Sequence, residues 1–117
     1  MKYDIEKRLL DFSLKVIEIV EALPNTKAAN YLGGQIIRSR TSPALNYAEA
    51  QSAESRNDFV YKMKICLKEL RENFAALKII NYKNFLKQKE LLVSALNENN
   101  ELIAIFVKSI LTAKKNK

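Results

Sequence analysis

The sequence predicts an all-α protein folded as an antiparallel, up-down-up-down four-helix bundle, and three observations carry that expectation. The 117 residues include only two glycines and two prolines, too few turn-formers for a many-stranded sheet. Apolar residues recur at alternating steps of three and four along most of the chain, the period of one helix face. The interruptions fall at turn and capping residues and are short, which forces neighbouring helices to run antiparallel. At this length one core buries roughly two thirds of the unfolded surface. Residues 1–117 therefore read as one domain whose basic tail frays from about residue 112.

In the first helix Ile5, Leu9, Phe12, Val16, Ile19 and Leu23 form a continuous seam that Pro24-Asn25 ends. The second opens after Thr26 as N-cap and carries Leu32, Ile36, Ala44, Leu45 and Ala48. Pro43 lies inside this segment, where a missing N–H and a ring clash predict a kink, or a split in two near Arg40 to Ser42. Ser55-Arg56-Asn57-Asp58 has the spacing of a capping box and opens a third helix with the seam Phe59, Met63, Cys66, Leu70, Phe74 and Leu77, ending near Asn81-Tyr82. A fourth is expected from about Asn84, with Leu92, Leu96, Asn99, Ile103, Phe106 and Ile110 as its seam. Asn99 on that seam reads in two ways, as a buried amide that sets helix register or as a half-exposed position.

Helix one carries a second apolar row, Leu10, Leu14 and Ile17, on the side away from its seam, and the fourth helix has a surplus in Leu102, Ile105, Val107 and Leu111. Aligned surplus rows predict a homo-oligomer with Leu10, Leu14, Ile17, Leu102 and Ile105 at the subunit contact.

Composition narrows the function. Charge interrupts every apolar run, so no segment approaches the roughly 20 apolar residues of a membrane span. The acidic start Met1-Lys2-Tyr3-Asp4-Ile5-Glu6 does not resemble a signal peptide, and a cytoplasmic location is expected. The chain has no histidine and a single cysteine, Cys66. It therefore lacks the commonest general base and metal ligand, and the Glu-x-x-His pattern of metal-carboxylate bundles cannot be built. Tyr47, Glu49 and Ser42 do not assemble a nucleophile, base and orienting group, and Gly33-Gly34 lacks phosphate-loop spacing. No enzyme activity, cofactor or metal is expected.

Twenty Lys and Arg against 13 Asp and Glu give a formal charge of +7 and a pI near 9.5, which favours polyanionic partners. On the third helix Lys64, Lys68, Arg71 and Lys78 fall along one stripe opposite the seam, with Tyr61 on the same face to stack a base and Glu69 and Glu72 on adjoining rows. Lys108, Lys114, Lys115 and Lys117 make a second basic patch at the C-terminal end. Arg38, Arg40 and Arg56 form a third group expected near the bent end of helix two, where Glu49, Glu54 and Asp58 compete for them as ion-pair partners.

The run Gln35-Ile36-Ile37-Arg38-Ser39-Arg40-Thr41-Ser42, followed by Asn46, Glu49-Ala50, Ala53-Glu54-Ser55-Arg56, Asp58-Phe59, Lys62-Met63 and Leu67-Lys68-Glu69-Leu70-Arg71-Glu72, resembles a four-helix bundle family. That family takes its name from the protein encoded in intervening sequences of bacterial 23S ribosomal RNA, and its members are sometimes labelled ribosomal proteins. The resemblance covers nearly half the chain. It implies a left-handed bundle assembled as a ring of five protomers, and kinship with the basic accessory proteins of diversity-generating retroelements, which engage nucleic acid and a reverse transcriptase. The residues that match the family pattern are Gln35, Arg38, Ser42, Asn46, Glu49, Ser55, Asp58, Phe59, Lys68, Glu69 and Arg71, and the resemblance implies that most of them hold the helix pair and the ring together. Arg40, where the family often has a small residue, and Pro43 depart from the pattern. Two functions follow as expectations: a non-enzymatic oligomer that binds structured RNA through pooled basic surfaces, or a scaffold that docks a protein partner such as a reverse transcriptase.

Overall fold

The computed structural model describes residues 2–37 and 42–115, with side chains from residue 5 onward. It is all-helical, with five helices and no strand among the described residues: α1 (Lys2–Glu21), α2 (Lys27–Ile36), α3 (Pro43–Gln51), α4 (Arg56–Tyr82) and α5 (Lys89–Lys115). The sequence predicts four helices, and the fifth arises where it allows a split at Pro43. Pro43 stands at the first turn of α3, where its missing N–H costs nothing. The residue before it, Ser42, is driven to an extended backbone (φ −62, ψ 128), so no helix can run through into Pro43.

The two anticipated caps are present. Thr26 Oγ1 accepts the Ala29 N–H at 3.1 Å, and Ser55 Oγ accepts the Asp58 N–H at 3.0 Å. Asp58 answers by accepting the Glu54 N–H at 3.4 Å, one residue earlier than a capping box requires, and by pairing with Lys62 at 3.2 Å. The last helix starts at Lys89, five residues later than expected from Asn84. Asn84 takes the left-handed conformation (φ 54), which asparagine tolerates, and Leu86 turns into the core. The Lys89 ammonium donates to Asn81 and Asn84 and ties the turn to the new helix.

Residue pairings set the direction of each helix against its neighbours. Arg8 of α1 meets Glu98 and Glu101 of α5, whereas Lys15, two turns on, meets Ser94, so α1 and α5 run in opposite senses. Gly33 of α2 lies against Val20 and Leu23 at the end of α1, so close that a Cβ there would stand 3.1 Å from Val20 Cγ1. The two 27-residue helices α4 and α5 make the most extensive contact in the molecule. At 1.5 Å per residue each is about 40 Å long, most of the 48 Å long axis.

The core is built from Leu9, Phe12, Val16 and Ile19 of α1, Met63, Cys66, Leu70 and Leu77 of α4, and Leu92, Leu102, Phe106 and Ile110 of α5. Tyr47 of α3 packs edge-on against Phe106 with ring centroids 5.8 Å apart. The seam read for the first helix agrees with α1, and Met63, Cys66, Leu70 and Leu77 of the seam read for the third are buried in α4, with Phe59 and Phe74 half-buried beside them. On α3 the break shifts the phase, so Tyr47 and Ala50 are buried while Leu45 and Ala48 are exposed. On α5 the buried row is Leu92, Ala95, Asn99, Leu102, Phe106 and Ile110, with Leu96 and Ile103 half-buried beside it.

That shift corrects one interface assignment. Leu102 is fully buried inside its own chain and offers no surface to a partner. Ile105 is half-buried, in a groove with Ile5, Tyr47 and Met63. Leu10, Leu14 and Ile17 do lie uncovered, at 53%, 62% and 41% exposure.

Asn99 is wholly buried. With its amide oriented to suit its surroundings, its NH2 donates to the Leu70 carbonyl at 2.9 Å and its oxygen accepts the Phe74 N–H at 3.1 Å. Those two groups lie four residues apart on α4, so one α5 side chain reads the position of a single turn of its neighbour. Of the two readings open to Asn99, the register amide holds. Arg8, on the other flank of α5, makes a forked contact with Glu98 (Nε to Oε2 2.9 Å, NH2 to Oε1 2.7 Å) and reaches Glu101 at 2.8 Å. The bonds to Glu98 and then Glu101 hold its guanidinium above the ordinary arginine range.

Candidate nucleic-acid interface

The surface with the clearest chemical character lies on the outer face of α4. Its seam residues turn inward, so the positions at i, i+4 and i+7 on the opposite side face solvent. Lys64, Lys68, Arg71 and Lys78 are all exposed there. Of the two acids on adjoining rows, Glu69 is drawn into the interior. Glu72 remains at the surface and borders the shallow depression formed by Lys64, Leu67, Lys68, Arg71 and Ala75. Lys78 leans over the Phe74 ring, 4.6 Å from its centroid, which holds the ammonium near the helix surface.

The structure joins what the sequence presented as separate patches. Because α5 runs back along α4, Lys114 in its last turn arrives beside Lys64, fifty positions earlier in the chain. The hydrogen-bonding proximity of Lys64, reinforced by repulsion between the two ammonium groups, lowers the pKa of Lys114. Arg56 joins the same place rather than the α2–α3 break; Arg38 and Arg40 lie outside the described residues, as does Lys117. Together Ser55, Arg56, Asn57, Val60, Tyr61, Lys64 and Lys114 line an open groove of about 820 Å³ without an acidic residue among them. Lys108 is not part of it and lines a separate groove formed by α1, α3, α4 and α5.

Asn57 and Val60 carry neither a charge nor an aromatic ring that would mark them in the sequence. Both fall within one turn of Tyr61, so helical spacing was the available signal. Lys114 could be placed by counting equal lengths back from the turn between α4 and α5, which brings the level of Lys64 opposite the last third of α5.

This arrangement offers cations and one exposed aromatic ring, suited to holding phosphate and stacking a base. Among the described residues no cluster of three metal-ligating side chains occurs, and no helix is long and apolar enough to cross a membrane. Burial pushes the Cys66 thiol up to about 12, helped by the charges of Glu49 and Glu69, which removes it as a nucleophile in the folded chain.

The model of the 23S rRNA-intervening sequence protein family matches residues 1–108. The chain belongs to this family. The match extends the likeness seen in the middle of the sequence to α1 and to α5 as far as residue 108. Among solved structures, a protein of unknown function from the S23 ribosomal protein family of Bacteroides thetaiotaomicron is 28% identical, with a TM-score of 0.79 over 91% of this chain and 97% of that one. Comparison with curated proteins finds no match. Lys114 lies beyond the family match, so the basic groove combines a family helix with the segment that follows.

Proposed function

We propose that this family member is a non-enzymatic RNA-binding protein of the cytoplasm, which engages a phosphate backbone through the outer face of α4 and the end of α5. In this reading α2 and α3 are one interrupted rod, so the chain is a single-domain, up-down-up-down four-helix bundle. The observation that carries the reading is the convergence of Arg56, Lys64, Lys68, Arg71 and Lys114 on one continuous surface. Each exposed cation near a phosphate releases condensed counterions, a gain that requires no specific geometry.

The uncovered row Leu10, Leu14 and Ile17 supports assembly into a homo-oligomer, which the family likeness suggests is a ring of five. A ring would repeat the basic surface and make weak single sites act together. The same apolar row also favours a second reading, in which the assembly docks a partner protein and its charge serves steering.

The test is binding of labelled RNA across a salt series, with light scattering to fix particle size. With four phosphate contacts, single-strand affinity is expected to fall about 50-fold between about 50 and 200 mM salt. Changing Lys64, Lys68 and Arg71 together to glutamate should abolish it. Undiminished binding by that variant removes this surface as the site, and a protein partner retained after nuclease treatment supports the docking reading.

A further inference from the structure

The groove at the start of α4 has more in it than a phosphate-only contact requires. Duplex RNA keeps its bases stacked and presents phosphates and 2′-hydroxyls, so a duplex site needs cations and hydrogen-bonding groups but no exposed aromatic ring. Here the floor is apolar, with Val60 at 9% exposure, while Tyr61 beside it stands 64% exposed. Asn57, one turn before Tyr61, brings an amide that both donates and accepts. Lys64 and Lys114 bring two ammonium groups together with no carboxylate lining the groove between them. At about 820 Å³ the groove has the size of a small-ligand site. The neighbouring depression at Lys68 and Arg71 has no aromatic residue and is bordered by Glu72, as suits a contact to backbone alone.

From this we infer that the groove takes an unpaired nucleotide of RNA, its base stacked on Tyr61 with its edge toward Asn57 and its phosphate between Lys64 and Lys114. The inference rests on the RNA-binding reading and makes it specific: the protein selects unpaired segments, such as loops and ends, within a structured RNA. Lys68 and Arg71 then follow the backbone along α4, and Tyr61 decides which RNA is held.

The test is fluorescence anisotropy of the full chain with a fluorescein-labelled single-stranded uridine 12-mer and with a blunt 12-base-pair RNA duplex. The parent should bind the single strand more tightly. Tyr61→Leu should weaken single-strand binding by about tenfold and leave the duplex within about twofold, while Tyr61→Phe, which keeps the ring, should stay within about twofold on both. Equal parent affinity for the two RNAs, together with an unaffected Tyr61→Leu variant, overturns the stacking inference and leaves the basic surface standing. Failure of the parent to bind either RNA overturns both. Because Tyr61 is largely exposed, its replacement should leave the helical circular dichroism and unfolding midpoint unchanged, and a binding loss accompanied by unfolding counts against the inference.

Discussion

Asn99 gives the sharpest test of how the two long helices are held in register. Its side chain is fully buried and makes two hydrogen bonds to α4, at 2.9 and 3.1 Å. At about 0.5–1.5 kcal/mol net for each bond, Asn99→Ala loses roughly 1–3 kcal/mol. A small cavity adds about 1 kcal/mol, because the packed surroundings relax only partly. The loss is limited because the Leu70 carbonyl and Phe74 N–H, four residues apart, can satisfy one another within the helix. The expected cost is therefore about 2–3 kcal/mol, read from urea unfolding followed by circular dichroism with the slope unchanged. Asn99→Asp separates hydrogen bonding from volume. A carboxylate can still accept from Phe74, but it sets an anion against the Leu70 carbonyl oxygen in a site without solvent, so this variant should be the less stable of the two at neutral pH and recover as the pH falls. If Asn99→Ala lies within about 0.5 kcal/mol of the parent, or Asn99→Asp matches the parent at neutral pH, the register argument is wrong.

Four further outcomes rest on particular residues of the fold. Gly34 is exposed in α2, its φ is not positive, and a Cβ added there would meet nothing within 4 Å, so Gly34→Ala should raise stability by about 0.5–1 kcal/mol in the same urea assay. A double-mutant cycle on Arg8 and Glu98 should give a coupling of about 1–2 kcal/mol for this forked, partly shielded pair. The exposed Lys7 and Asp11 pair should give less than about 0.5 kcal/mol in the same experiment. Cys66 should resist alkylation in the folded protein and react on unfolding. Its thiol is raised from 9.0 to about 12, so above pH 9.0 the unfolded chain ionises while the folded chain does not; the stability this group contributes is full below 9.0 and declines as the pH rises toward 12. Alkylation of the native protein at its unfolded rate would refute the placement of Cys66.

What the sequence determined by itself was mostly local. The period of Leu9, Phe12, Val16 and Ile19, the caps Thr26 and Ser55, and the interruption at Pro43 depend on interactions within a few residues, and these appear in the fold as read. The outward stripe of Lys64, Lys68, Arg71 and Lys78 was legible for the same reason, since helical spacing alone assigns a face. Tertiary structure decided matters that depend on two segments meeting. Leu102 and Ile103 are both apolar neighbours on one helix, and only packing against α4 and α1 selected Leu102 for the interior. Arg8 found Glu98 and Glu101, and Lys114 came to stand beside Lys64, because helices of matched length were folded back on one another. A one-dimensional pattern records which face a side chain occupies, whereas the groove at Tyr61 depends on which distant face lies opposite, and that is set by the summed packing of the whole core.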